Sequence, residues 1–261
     1  MALDWTFDAY GGFDGGLYSP WDLDDLVARK VLEAEGMARY RAPLIAEGGG
    51  LQCDGQGTLI TTEQCLLNQN RNAHLGKAEV ERQLGDFLGV DTIIWLPRGF
   101  AFDETDGHVD DIYCFVRPGV VALSWTDDRE DTRSCARRGN PAFGPRCARP
   151  RLEVHRLPHP LPIETTAEES ESIDRSDQTW ARPVGNRVAA SYVNYYPGNS
   201  VVVVPEFGSD LDVKAKQKLA ELFPDHKIIG IENSREILLG GGNVACITLP
   251  VYAPQTRPEA A

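Results

Sequence analysis

The chain has 261 residues, 42 % hydrophobic and 25 % charged, which is a globular rather than a disordered composition and favours one domain, residues 1–261, with a sizeable core. Against 26 Lys and Arg stand 39 Asp and Glu, so the net charge of −13 opposes nucleic acid and anionic lipid as general partners and suits either plain solubility or a small cationic ligand. No run reaches the roughly 18 apolar residues of a membrane span, and residues 1–16 lack the basic start and apolar stretch of a signal peptide, so the chain reads as soluble and cytoplasmic.

In chain order, Leu26, Val27, Val31 and Ala34 recur at helical spacing and predict a helix over 23–40, with Asp22 as N-cap. A short apolar piece at 43–46 runs into Glu47-Gly-Gly-Gly50. Strands fit 57–62 and 65–67, and Val80, Leu84 and Phe87 share one face of a helix over 77–88. The β-branched stretch 92–96 is a strand, and after it comes a polar loop, Asp103-Glu-Thr-Asp-Gly-His-Val-Asp110. Residues 127–150 are basic, Pro-containing and without a helical face, which reads as a surface insertion in a degenerate unit spanning 120–157. The acidic stretch 165–177 reads as a solvated loop. Further strands fit 189–195 and 201–204, a helix fits 211–223 before Pro224, and a strand fits 227–231. Leu239-Gly-Gly-Gly-Asn243 then leads into an apolar strand, Val244-Ala-Cys-Ile-Thr248.

The order strand, strand, helix, strand recurs, and Cys246 follows His108 by nearly the interval that separates Lys227 from Thr92. Repeats of this kind around a centre would aim each loop that follows a strand at a common axis and gather Glu47, His108 and Cys246 there. Cys246 is flanked by Gly240, Gly241 and Gly242, which admit positive φ and close approach of a ligand, or simply form a turn. The other cysteines, Cys53, Cys65, Cys114, Cys135 and Cys147, have no such setting and read as inert thiols; no Cys/His spacing suits zinc, so no structural metal is expected. His108 shares its loop with Glu104, Asp106 and Asp110, and carboxylates beside an imidazole keep it protonated to higher pH, as acid/base chemistry near neutrality requires; a merely solvated acidic loop has the same composition.

The segment 47–68, which opens with Glu47-Gly-Gly-Gly50 and closes with Glu63-Gln-Cys-Leu-Leu-Asn68, resembles the agmatine deiminases of the guanidine-modifying, bacterial-type peptidylarginine deiminase superfamily. Asn70-Arg-Asn72, the 103–110 and 239–248 motifs and Ala190-Ser-Tyr-Val-Asn194 carry the same resemblance, which extends from Asp4-Trp5 to about Pro254. It implies a pentein-type α/β propeller of ββαβ units, with about four of five blades present here. The family opens with a unit bearing Trp-x-Arg-Asp-x-Gly-Pro, which supplies a second guanidinium-binding aspartate, and this chain is expected to start after it.

The implied reaction is hydrolysis of agmatine to N-carbamoylputrescine and ammonia, a step toward polyamines from arginine, with no metal or organic cofactor. By resemblance Cys246 is the nucleophile, His108 the acid and base, Glu47 its partner and Asp110 a carboxylate gripping the guanidinium. Glu104, Asp106 and Gly242 are further substrate-binding candidates, while Asp111 is assigned to solvent or local capping. Homo-oligomerisation is a family expectation. Ala245 stands where relatives usually have His, and 249–252 also departs from the family pattern. Two other readings stay open: a deiminase of peptidyl-arginine or another guanidine, and a guanidine-binding remnant without catalysis.

Overall fold

The computed structural model describes residues 2–127, 152–173 and 181–251. Four small sheets follow one another along the chain. The first pairs β1 (Ala2–Thr6) in parallel with β2 (Arg39–Ile45), and the crossover between them carries α1 (Val27–Ala34). The second contains β3 (Gln52–Cys53), β4 (Thr58–Thr62) and β5 (Thr92–Leu96), with α2 (Glu63–Leu66) and α3 (Lys77–Leu88) between the last two strands. The third is made of β6 (Tyr113–Arg117), β7 (Val120–Trp125) and β8 (Glu153–Pro158). After α4 (Ala167–Ser172) the fourth sheet forms from β9 (Tyr196–Pro197), β10 (Val201–Pro205) and β11 (Lys227–Ile231), with α5 (Asp210–Leu222) crossing between the last two; α6 (Arg235–Leu239) follows.

In each three-stranded sheet the middle strand is antiparallel to its predecessor and parallel to its successor. An antiparallel neighbour needs only a tight connection, whereas a parallel one needs a long crossover, which α2 and α3 supply in the second sheet and α5 in the fourth. The middle strands β4 and β7 are covered on both faces, and their side chains alternate between two cores. In β4, Leu59 packs with Leu66, Val80 and Leu84 beneath its own helix, whereas Ile60 joins Val121 and Leu123 of β7 in the next core. Ala122 of β7 points the other way, to Val202, Val204 and Leu219 of the fourth unit. Each sheet is therefore cemented to the next by alternate residues of one strand, and each buried Leu or Ile is worth about 2–5 kcal/mol against truncation to Ala.

The strands 92–96 and 227–231 and the helix 77–88 are as the sequence predicts, and α5 differs by one residue at each end. Other segments differ. The first helix covers only Val27–Ala34, without an Asp22 cap, because Gly36 at φ 63° turns the chain out and Arg39 and Arg41 pair with Asp4 in the β1–β2 register. Residues 65–67 are not a strand: Thr62 Oγ1 accepts Cys65 N at 3.1 Å and caps a helical turn. The acidic stretch holds α4, started by a reciprocal Thr166–Glu169 capping box. Residues 189–195 form no strand, since Ala189 O and the Ser191 hydroxyl serve the site loops instead of a ladder, and 244–248 is a 3-10 turn over Ala245–Ile247. The expected insertion at 127–150 lies almost wholly outside the described residues, as do Cys135 and Cys147. Among the described residues no helix is long and apolar enough to cross a membrane.

Candidate active site

Three glycine-rich or acidic loops converge where three of the sheets end. Glu47 leaves β2 and is followed by a turn, Gly48–Gly50, whose Gly49 carbonyl accepts both Val109 N (3.1 Å) and Asp110 N (3.2 Å). A side chain at Gly49 is impossible without displacement, because its Cβ would stand 2.5 Å from His108 Nδ1 and 2.7 Å from Asp110 Oδ2. The first loop is thus locked onto the second by backbone bonds that only glycine permits.

The second loop is organised from within. Asp103 accepts Thr105 N at 2.9 Å and His108 N at 2.6 Å, and Thr62 Oγ1 donates to Gly107 O at 2.6 Å. Asp106 and Gly107 adopt positive φ, which turns His108 inward to a buried position. There His108 Nε2 faces Glu47 Oε2 at 3.4 Å, leaving Nδ1 on the side of Gly49 and Asp110. Glu47 Oε1 is held at 2.8 Å by Nε of the buried Arg71, which also reaches Thr105 O and Asp106. Burial alone would raise the Glu47 carboxyl, but His108 and Arg71 outweigh it and hold it below the ordinary range. Burial likewise opposes charge on His108, yet Cys65 and Glu47 prevail and keep the imidazole protonated well above its usual pKa.

Cys246 lies on the third loop as an exposed residue whose Sγ donates to Asp110 Oδ2 at 3.4 Å and accepts Asn194 Nδ2 at 3.1 Å. The other end of the Asn194 amide accepts Ala245 N at 2.9 Å and Cys246 N at 3.3 Å, so one buried side chain holds both the sulfur and the turn that carries it. A Cβ at Gly242 would come within 2.8 Å of the sulfur, which places this glycine against the back of the Cys246 side chain. Although the residue as a whole is exposed, the protein packed around its sulfur, then the charges of Asp110 and Asp111, push the Cys246 thiol far up. Burial also pushes Asp110 up to about 6, and its Oδ1 is buried with no hydrogen-bond partner among the described residues.

Glu104 and Asp106 share the loop, but the protein's own donors occupy them. Arg182 grips Glu104 in a fork at 2.7 and 2.5 Å, and Asp106 accepts Asn70 (2.7 Å) and Arg71 (3.2 Å). The assignment of Asp111 to solvent is corrected: it is buried and accepts Asn243 Nδ2 at 3.2 Å, while its carbonyl accepts the Ser191 hydroxyl, tying the second loop to the third. Cys65 is also no isolated thiol, for its Sγ stands 3.8 Å from Glu47 Oε2. Among the described residues Glu47, Cys65 and His108 form a group whose ligand atoms all lie within 4.8 Å of one another, close enough for a metal ion. Sequence reasoning assigned no role to Arg71, Asn194, Asn243 or Arg182; the Arg and Asn of 70–72 and the Asn of 190–194 stood inside motifs and were the available signal.

A thiol beside a carboxylate with an open oxygen, facing a charged imidazole backed by a second carboxylate, defines a thiol-dependent hydrolase site suited to a cationic planar group. The family model of the Porphyromonas-type peptidyl-arginine deiminases matches residues 1–251. Agmatine deiminases of Ectopseudomonas mendocina and Pseudomonas aeruginosa are each 49 % identical to this chain over 257 residues, covering 97 % of it and 70 % of their own length. The solved agmatine deiminase of Enterococcus faecalis superposes with a TM-score of 0.84 at 41 % identity, over 94 % of this chain and 68 % of that one. The chain belongs to the Porphyromonas-type peptidyl-arginine deiminase family.

Proposed function

We propose that this chain hydrolyses agmatine to N-carbamoylputrescine and ammonia through a covalent adduct on Cys246. The observation that carries the reading is Asp110, whose Oδ1 is buried and unpartnered while its Oδ2 touches the Cys246 sulfur. A guanidinium lying on that carboxylate offers N–H groups to it and brings its central carbon next to the thiol. The names of the relatives select agmatine among guanidines.

The resting thiol is held protonated largely by burial and the two neighbouring aspartates. A bound guanidinium cancels that negative field, so the substrate itself promotes loss of the thiol proton to solvent, and the Asn194 N–H is already aimed at the sulfur that gains charge. Attack of the thiolate on the guanidinium carbon gives a tetrahedral adduct. His108, charged because Glu47 and Cys65 face it, hands a proton to the departing ammonia and leaves a thiouronium on Cys246. The neutral imidazole then takes a proton from water as it adds to the same carbon, and collapse releases the urea product and the sulfur.

Glu47 and Arg71 act through His108: the carboxylate stabilises the imidazolium and the guanidinium fixes the carboxylate. One part of the architecture belongs to the proposal as well. The four sheets are consecutive blades of a propeller, a reading supported by the strand order that the three three-stranded sheets share and by the alternate packing of β4 and β7 between neighbouring cores.

Ammonia release measured on agmatine, free arginine and peptidyl-arginine tests the function. Turnover of agmatine with the other two inert is expected; turnover of peptidyl-arginine alone would overturn the substrate assignment.

A further inference from the structure

Cys65 is a buried thiol that touches no reacting atom in the mechanism above and bears on it only as a neighbour of His108. Its Sγ lies 3.8 Å from Glu47 Oε2, the same oxygen that faces His108 Nε2 at 3.4 Å. In a tetrahedral zinc site the usual bond lengths put nitrogen and oxygen ligands about 3.3 Å apart and sulfur and oxygen ligands about 3.5 Å apart. These two separations exceed those by a few tenths of an ångström at most, and all three ligand atoms lie within 4.8 Å of one another, so a shift of the Cys65 and His108 side chains closes the set. Two further features suit a cation. The other oxygen of Glu47 is fixed by Arg71, which orients Oε2 as outer partners orient ligands in built metal sites. Gly50 leaves room beside the donors, where a Cβ would stand 3.5 Å from the Cys65 sulfur and 4.0 Å from His108 Nε2.

We propose that Glu47, Cys65 and His108 form an inhibitory site for a thiophilic divalent cation of the Zn2+ class, distinct from the nucleophile Cys246. Three protein ligands leave a fourth position for water. A sulfur, a nitrogen and a single carboxylate oxygen select zinc-like ions over Mg2+ or Ca2+, which require several oxygens. The charge of Arg71 and the lack of solvent disfavour any cation that cannot bond to sulfur. Once Nε2 is bonded to the metal, His108 can no longer alternate as acid and base, so occupancy and turnover exclude each other.

The test uses the whole chain in metal-free buffer, with Zn2+ for inhibition and Co2+ as the spectroscopic probe. Zn2+ should inhibit agmatine hydrolysis while Mg2+ at the same concentration does not. Cys65→Ala and Cys65→Ser, each compared with its own metal-free rate, should need about tenfold more Zn2+, or higher, for the same fractional inhibition. Co2+ should give a sulfur-to-metal charge-transfer band that survives Cys246→Ser and loses its largest part in either Cys65 variant. A band that disappears with Cys246→Ser and persists without Cys65 would overturn the proposal, as would equal Zn2+ sensitivity of wild type and both Cys65 variants. The inhibition arm rests on the acid/base reading of His108, whereas the Co2+ band does not. A Cys65-dependent band without inhibition would therefore uphold the metal site and remove His108 from the proposed chemistry.

Discussion

The loop that presents His108 and the loop that presents Cys246 are built on opposite plans. Residues 103–111 supply their own restraints: Asp103 binds two of the loop's backbone N–H groups, and Arg71 and Arg182 anchor its carboxylates from either side. Residues 239–247 are held from outside, by the Asn194 amide, by Asp111 and the Ala189 carbonyl, which accept from the loop's own Asn243, and by the Arg182 guanidinium on Leu239 O, and beyond Cys246 the side chains of Ile247 and Leu249 are exposed. With His108 and Cys246 in the roles proposed for them, the comparison separates two needs. A proton-transfer group works through fixed electrostatics, so its surroundings are buried and internally satisfied before substrate arrives. A nucleophile must meet the substrate and later release it, so it sits at the surface on a turn secured by a few long-range bonds.

The largest effects fall on the chemistry itself. Cys246→Ser should lower turnover by about 10⁴-fold or more, to background, because a serine hydroxyl ionises far less readily than a thiol. His108→Ala should stop the cycle at the adduct, so that mass spectrometry after mixing with agmatine finds mass added to Cys246; normal steady-state turnover in that variant would remove the imidazole from the mechanism.

Asp110→Asn sharpens the contrast by acting in two directions. Losing the carboxylate that pairs with a desolvated guanidinium costs about 3–5 kcal/mol, or a few hundredfold or more in agmatine affinity, which titration calorimetry on the Cys246→Ser background would read. The same change removes a negative neighbour of the thiol, so its pKa falls. Alkylation of Cys246 by iodoacetamide at mildly alkaline pH should then be faster than in the parent chain, followed on the peptide that contains it. Affinity left intact would mean that the guanidinium sits elsewhere.

Asn194→Ala attacks the borrowed restraints of the third loop. It removes the donor to the sulfur and the acceptor of two backbone N–H groups, and kcat/KM should drop about 10²-fold, with protease cleavage near residues 243–248 enhanced. The equivalent attack on the second loop should be milder for local order, because Asp103 still organises it.

Asp111 gives the smallest effect. Burial raises its carboxyl well above the usual range, which makes the neutral isostere a mild change there, and Asp111→Asn should shift stability in denaturant by about 1 kcal/mol or less. Asp111→Leu, which leaves Asn243 short of an acceptor, should cost about 1–3 kcal/mol.

Local pattern alone was enough to determine α3, β5, α5 and β11, because helical spacing, β-branched runs and a following Gly or Pro act within a few residues. The spaced motifs around Glu47, His108 and Cys246 likewise identified the family and the three loops that meet. Only the tertiary structure decided that residues 189–195 abandon strand pairing, that Asn194 holds Cys246, and that Asp111 is buried. It also decided that Arg182, 78 residues along the chain from Glu104, occupies that carboxylate, and that Cys65 stands beside Glu47 and His108. These features depend on which groups meet after the chain has closed on itself. A buried polar atom takes whichever partner lies within reach, and sequence spacing carries no information about partners so far apart.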